Sequence, residues 1–126
     1  MFRVYYIIQQ SHIRLMKMAK YIVIFVTCSS KKEALFIANK LLKERLIACA
    51  NVIDGMKSLF WWKGKVDKAQ ESLIIVKTVR KNFDKIQKKI KQFHSYEVPE
   101  IIALPITMGE NNYLKWVDKS IMGTPH

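Results

Sequence analysis

Residues 48–79 form two long extended stretches, ACANVIDGMKSLFWW (48–62) and VDKAQESLIIVKTV (66–79), joined by KGK (63–65). The joining residues suit a tight turn, so the pattern predicts one hairpin with arms of about 14 residues. At about 3.3 Å per residue each arm spans more than about 40 Å, against a usual strand of about five or six residues. Asp54-Gly55 interrupts the first arm, and a glycine inside a strand marks a bulge or a bend. No small sheet can pair such a hairpin along its whole length. The overhang carries Phe60, Trp61 and Trp62 near its tip, and a bare apolar edge invites association with another chain. A closed oligomer would cover it, so the hairpin reads as an assembly device.

The remaining segments supply what the hairpin pairs with. YIVIFVTC (21–28) is β-branched, aromatic and apolar on both faces, the pattern of a central strand. SKKE (30–33) reads as a capping box, with Ser30 accepting from the Glu33 amide and the Glu33 carboxylate reaching back to the Ser30 amide. Ala34, Leu35, Ile37, Ala38, Leu41 and Leu42 follow at helical spacing to about Arg45. NFDKIQKKIKQF (82–93) places Phe83, Ile86, Ile90 and Phe93 on one face and lysines on the other, with Asn82 as its cap. EIIALPIT (100–107) is a fourth strand, and Pro105 puts it at an edge or ends it there. NNYLKWVDKSI (111–121) predicts a final helix. The order β-α-β-β-α-β is the split βαβ, ferredoxin-like arrangement of an α+β domain, here with a long central hairpin and a C-terminal helix.

The chain's 126 residues suit one domain, and a half-apolar, quarter-charged composition is that of a globular protein. No apolar run nears the roughly 20 residues that cross a bilayer. The net charge of +12 raises nucleic acid or an acidic surface as partners. Four positive charges lie in the first twenty residues and the others are spread along the chain. Charge spread over helix faces reads as solvation. The RNA-recognition motif of ferredoxin-like domains is absent too, so neither nucleic acid nor membrane is expected as a partner. Cys28 and Cys49 cannot make a disulfide framework, which points to reduced thiols in a cytoplasm. The opening MFRVYYIIQQSHIRLMKMAK has a five-residue apolar run, VYYII, short of the roughly 7–15 residues of a signal peptide. Met16 and Met18 are alternative starts, so residues 1–19 are expected to be a dispensable extension of a domain over 20–122.

FHSYEVPE (93–100) gathers His94, Tyr96, Glu97 and Glu100 in a basic chain. Three readings stand at this stage: a metal site, a proton-transfer site, or a packed corner between helix and strand. Cys28 ends the first strand just before a helix N-terminus, whose field favours a thiolate. The competing reading makes it a buried cysteine packed as a small hydrophobe, and apolar neighbours strengthen that reading for Cys49. His94 can cap the carbonyls of the helix it follows. Thiolate and imidazole together suit copper or zinc, yet no Cys-x-x-Cys or His-Glu-x-x-His defines a closed site. Tyr96, Glu97 and Glu100 can serve acid–base chemistry or meet lysines across a subunit boundary. Without a nucleophile triad or phosphate loop, no enzyme is expected.

ACANVIDGMKSLFWWKGKV (48–66), HSYEVPEIIALPIT (94–107) and NYLKWV (112–117) together resemble the CutA family, named for divalent-cation tolerance. The likeness runs from about Tyr21 to Ile121. It implies a ferredoxin-like homotrimer assembled through the long hairpins, similar in arrangement to the PII signalling proteins, with a role in the response to metal ions. Where the family is proposed to bind copper, the ligands are a cysteine after the first strand and two adjacent histidines. Cys28 matches the cysteine and His94 the second histidine, while Phe93 stands in place of the first. The resemblance implies no required cofactor, with a copper or zinc ion as the candidate ligand. The alternative is a PII-like trimer that holds a small molecule or serves as a signalling or assembly module, with no physiological metal.

Overall fold

The computed structural model describes residues 19–124 together with Val4, Gln9 and Gln10. The extension expected over residues 1–19 therefore lies almost wholly outside the described residues. Strand β1 (Tyr21–Cys28) sits inside a four-stranded sheet with β2 (Cys49–Trp62), β3 (Lys65–Val79) and β4 (Ile101–Pro105). The strand order is β2-β3-β1-β4, and every pairing is antiparallel. Helices α1 (Lys31–Lys43) and α2 (Phe83–Phe93) lie on one face, and α3 (Asn111–Met122) follows β4. This is the ferredoxin-like α+β arrangement with its C-terminal helix. β4 is an edge strand that ends at Pro105, as the missing proline N–H requires.

The period-2 pattern of β1 decides the core. Ile22, Ile24, Val26 and Cys28 are all buried and point the same way. They pack with Ile74 and Val76 of β3 against Ala34, Ile37 and Leu41 of α1 and Ile86 and Ile90 of α2. Helix α1 starts where the capping residue predicts, with Ser30 Oγ accepting from the Glu33 amide at 3.1 Å. The return arm differs from the expected box: the Glu33 carboxylate accepts from the Ser29 amide at 3.1 Å and the Ser95 amide at 3.0 Å. By bridging two chain segments, that carboxylate joins the start of α1 to the end of α2.

The end of α1 is a Schellman turn, with Leu46 N–H on the Leu41 carbonyl and Arg45 N–H on the Leu42 carbonyl. Arg45 takes the left-handed position at φ +58°, where a side chain costs about 1–2 kcal/mol. Its guanidinium donates to the Ser120 carbonyl at 2.8 Å, tying this turn to α3. Asn82 does not cap α2 as expected. It adopts a helical conformation, and its side-chain amide donates to the Leu46 carbonyl at 3.0 Å. A 3-10 turn over Arg80–Asn82 precedes the helix, and the Arg80 carbonyl accepts from the Phe83 amide, so that amide needs no side-chain cap.

The hairpin closes with a two-residue turn, Lys63 at φ +51° and Gly64 at φ +77°, the left-handed pair that suits the strand twist. The interruption at Asp54-Gly55 is a bulge. Ile53 pairs with Leu73 and Met56 with Glu71, leaving Asp54 and Gly55 opposite Ser72. Gly55 supplies φ +73° and Ser72 Oγ donates to Asp54 Oδ1 at 2.7 Å. Cys28–Ser72 is also the last pair between β1 and β3. Everything beyond it, residues 56–71, is a two-stranded arm that projects about 23 Å past the sheet, given seven residues on each strand.

Two apolar surfaces are left open. On the arm, Leu59, Phe60, Trp61, Trp62 and Val66 are all exposed. On the sheet face away from α1 and α2, Val23, Phe25, Leu73 and Ile75 are half-buried, while Ile53, Ile102 and Leu104 are exposed. Helix α3 covers one end of that face through Val117, Trp116 and Ile121, which pack around Val79, Ala48 and Tyr21. The two-sided apolar pattern of β1 thus fills one core and faces a second surface that the single chain leaves largely uncovered.

Candidate functional site

The end of β1, the first turn of α1 and the end of α2 converge at the root of the arm. There the Cys28 Sγ, a carboxylate oxygen of Glu33 and a ring nitrogen of His94 all lie within 4.8 Å of one another. Cys28 and the His94 side chain are fully buried, and Glu33 is largely so. His94 Nε2 is 3.9 Å from Glu33 Oε1. Helix α2 stops at Phe93 and the chain turns extended at His94. Its ring is thereby thrown back over β1 instead of onto the last helical carbonyls, as capping would have required.

Hydrogen bonds settle the histidine tautomer. His94 Nδ1 accepts from the Tyr96 amide at 3.0 Å, so Nε2 carries the proton and donates to the Thr27 carbonyl at 2.7 Å. Both ring nitrogens are therefore engaged. Burial, then the nearby Glu33 and Glu71 carboxylates, push the Cys28 thiol up to about 12. At neutral pH it is a protonated, apolar-packed thiol; the field of α1 does not make it a thiolate, because desolvation of a buried anion outweighs it. Burial also opposes ionisation of Glu33, but the hydrogen bonds from Ser95 and Ser29 win and hold its carboxyl below the ordinary range.

Tyr96 belongs to the same corner. Its ring lies 4.9 Å from that of His94, and its hydroxyl donates to Glu71 Oε2 at 2.8 Å. Burial and that hydrogen bond raise the phenol to about 12, so Tyr96 stays a donor and has no proton to exchange near neutrality. Glu71 itself is buried on β3. Glu97 and Glu100 do not join the cluster: both are exposed, as is Val98 between them. Phe93 anchors α2 by an edge-on contact with Phe36 of α1, ring centroids 5.4 Å apart. The hairpin residues Phe60, Trp61 and Trp62 stand apart from this corner, near the far end of the arm.

Two members of the site escaped the sequence reading, Glu33 and Glu71. Glu33 carried a signal, the Ser-x-x-Glu capping spacing, but that spacing describes a local contact and says nothing of Ser95 or His94. Glu71 lies in the mostly polar stretch VDKAQES, one residue beyond the last β1–β3 pair, and only the tertiary fold places it beside Tyr96.

The profile of the family described as "CutA1 divalent ion tolerance protein" matches residues 22–120. The chain is 43% identical over 95 residues to the divalent-cation tolerance protein CutA of Thermus thermophilus, covering 75% of this chain and 92% of that one. It is 40% identical over 99 residues to the chloroplastic protein CutA 1 of rice, covering 79% of this chain but 56% of the longer rice protein. The structure of the periplasmic divalent cation tolerance protein CutA from Archaeoglobus fulgidus superposes with a TM-score of 0.78 at 40% identity, over 80% of this chain and 98% of that one. Among the described residues no helix is long and apolar enough to cross a membrane.

Proposed function

The chain belongs to the CutA1 divalent ion tolerance protein family, and on that premise we propose that it acts as a homotrimer in the response to metal ions, taking up copper or zinc at Cys28 and His94. The observation that carries the metal reading is the grouping of a thiol, an imidazole and a carboxylate within 4.8 Å. That donor set suits a soft or borderline cation. Glu33 is the third donor, and Phe93, where the family pattern has a histidine, is turned toward Phe36 and contributes none.

Uptake has a cost that the geometry makes explicit. The metal must displace the Cys28 proton and take a ring nitrogen of His94 from its present partner, the Thr27 carbonyl at Nε2 or the Tyr96 amide at Nδ1. Because the thiol is held at about 12, affinity falls by about tenfold for each unit of pH lost across the neutral range. Titration of the reduced protein with each metal at two pH values checks this. Cys28→Ser and His94→Ala are each expected to weaken binding by at least about tenfold while leaving the oligomer intact. Equal uptake by wild type and both variants would assign the corner to packing.

The trimer is supported by the open arm and the open sheet face. Closed association would bury both, and a neighbouring subunit at the arm root would lie close to Tyr96, Glu97 and Glu100. A second reading, a PII-like trimer that holds a small molecule or organises an assembly without a metal, is favoured by one observation: both nitrogens of His94 are already hydrogen-bonded. No catalytic step is assigned in either reading. Cytoplasmic residence is part of the proposal and is supported by two free cysteines. Residues 1–19 are proposed to be dispensable for the domain over 20–122.

A further inference from the structure

The positive charges are spread along the sequence, but the fold collects them. Segments 31–45 and 80–91, which form α1, α2 and their flanks, carry eleven Lys and Arg against three Asp and Glu. The rest of residues 19–124 carries eight against seven. Most of the excess charge of the described residues therefore lies on the helical side of the sheet, Arg45 aside, whose guanidinium is turned to the Ser120 carbonyl of α3.

Burial decides where it points. Ala34, Ile37 and Leu41 of α1 and Ile86 and Ile90 of α2 face the sheet, so helical spacing turns the lysines away from it. Lys31, Lys32 and Lys43 of α1 and Lys85, Lys88 and Lys91 of α2 are exposed. The three acids of the layer offset them only in part, and one of these, Asp84, is exposed beside Lys85 and Lys88. Glu33 is tied to Ser29 and Ser95, and Glu44 pairs with Lys89 at 3.0 Å.

We propose that this helical layer is an electrostatic docking surface for a bilayer carrying anionic lipid headgroups. Charge complementarity is the primary argument: a cluster of four to eight lysines beside apolar side chains on helices is the pattern that anionic bilayers attract. Leu35, Phe36 and Leu42 are exposed on the same layer, and such side chains gain from the headgroup–acyl boundary, as they would not along a phosphodiester backbone. Nucleic acid fits less well. Strand binding needs open aromatic faces for base stacking, whereas Phe36 and Phe93 meet edge-on with Lys40 Nζ 5.4 and 5.7 Å from their centroids. Assembly through the opposite sheet face leaves this layer outward, so the inference holds for one chain and for a trimer.

Co-sedimentation of the full chain with vesicles of phosphatidylglycerol and phosphatidylcholine, against phosphatidylcholine alone, tests it. The expected result is binding to the anionic vesicles that declines as salt rises. The triple variant K85E/K88E/K91E should lower partitioning by more than about a hundredfold, because losing three lysines at roughly fivefold each already gives that figure and reversal adds repulsion. K57E/K115E/K119E makes the same change in net charge off the layer and should bind nearly as wild type. The neutral set K85Q/K88Q/K91Q should lower it by on the order of a hundredfold, which keeps the test sound if charge reversal disturbs α2. No binding to anionic vesicles at low salt, or equal binding by the layer and control variants, would overturn the proposal. Layer-dependent retention on duplex DNA without vesicle binding would overturn it in favour of nucleic acid.

Discussion

Replacing Trp62 by Asp puts the assembly argument to a quantitative test. Trp62 keeps 58% of its surface exposed in the single chain. A tryptophan has about 150–250 Å² to bury, so about 90–145 Å² remains available to a neighbour. At about 25 cal/mol per Å² that is about 2–4 kcal/mol per subunit, or about 6–12 kcal/mol over three equivalent sites. Since about 1.4 kcal/mol is a factor of ten, even the lower figure weakens a trimer by about four orders of magnitude. An aspartate in the same seam adds the cost of desolvating a carboxylate. Light scattering across a concentration series should find wild type at three times the 14.8 kDa chain mass, insensitive to moderate salt because the seam is apolar. The variant should dissociate at micromolar concentrations and keep its secondary structure, because the arm lies beyond the last β1–β3 pair. A variant trimer as tight as wild type, or a wild-type monomer at those concentrations, would refute the reasoning.

A truncation starting at Lys20 is expected to keep both the melting temperature and the trimer mass; a large loss of either would show that the opening segment packs. Glu33 should leave a pH signature. Its folded pKa lies below the ordinary 4.5, so its ionic contribution is fully present above pH 4.5 and is lost as pH falls through the lower folded value. Wild type should therefore melt higher than Glu33→Gln at neutral pH, and the difference should shrink in acid; a constant difference would remove the carboxylate from the account. Cys28, buried and held at about 12, should resist alkylation in the native protein while the partly exposed Cys49 reacts. Mass mapping after a brief pulse would show it, and equal labelling of both thiols would contradict the burial.

The sequence by itself determined the elements and their order, because those depend on local periodicity. The β-branched apolar run in 21–28, helical spacing in 34–42 and 83–93, and a tight turn at 63–65 each belong to short stretches whose backbone choices are made nearby. The bulge at Asp54-Gly55 was legible for the same reason, since only a glycine takes that φ freely. The caps were legible in part: Ser30 acts within four residues, whereas the Glu33 carboxylate found Ser95 and the Asn82 amide found Leu46, partners no local rule names. The corner of Cys28, Glu33, His94, Tyr96 and Glu71 was decided only by the tertiary structure, because strand pairing and helix packing bring together groups separated by tens of residues. Desolvation in that corner then chose the protonated thiol that the position of Cys28 before a helix had left open. The charge distribution has the same origin. Lysines spaced along two separate helices became one surface when both helices turned their apolar faces to a single side of the sheet.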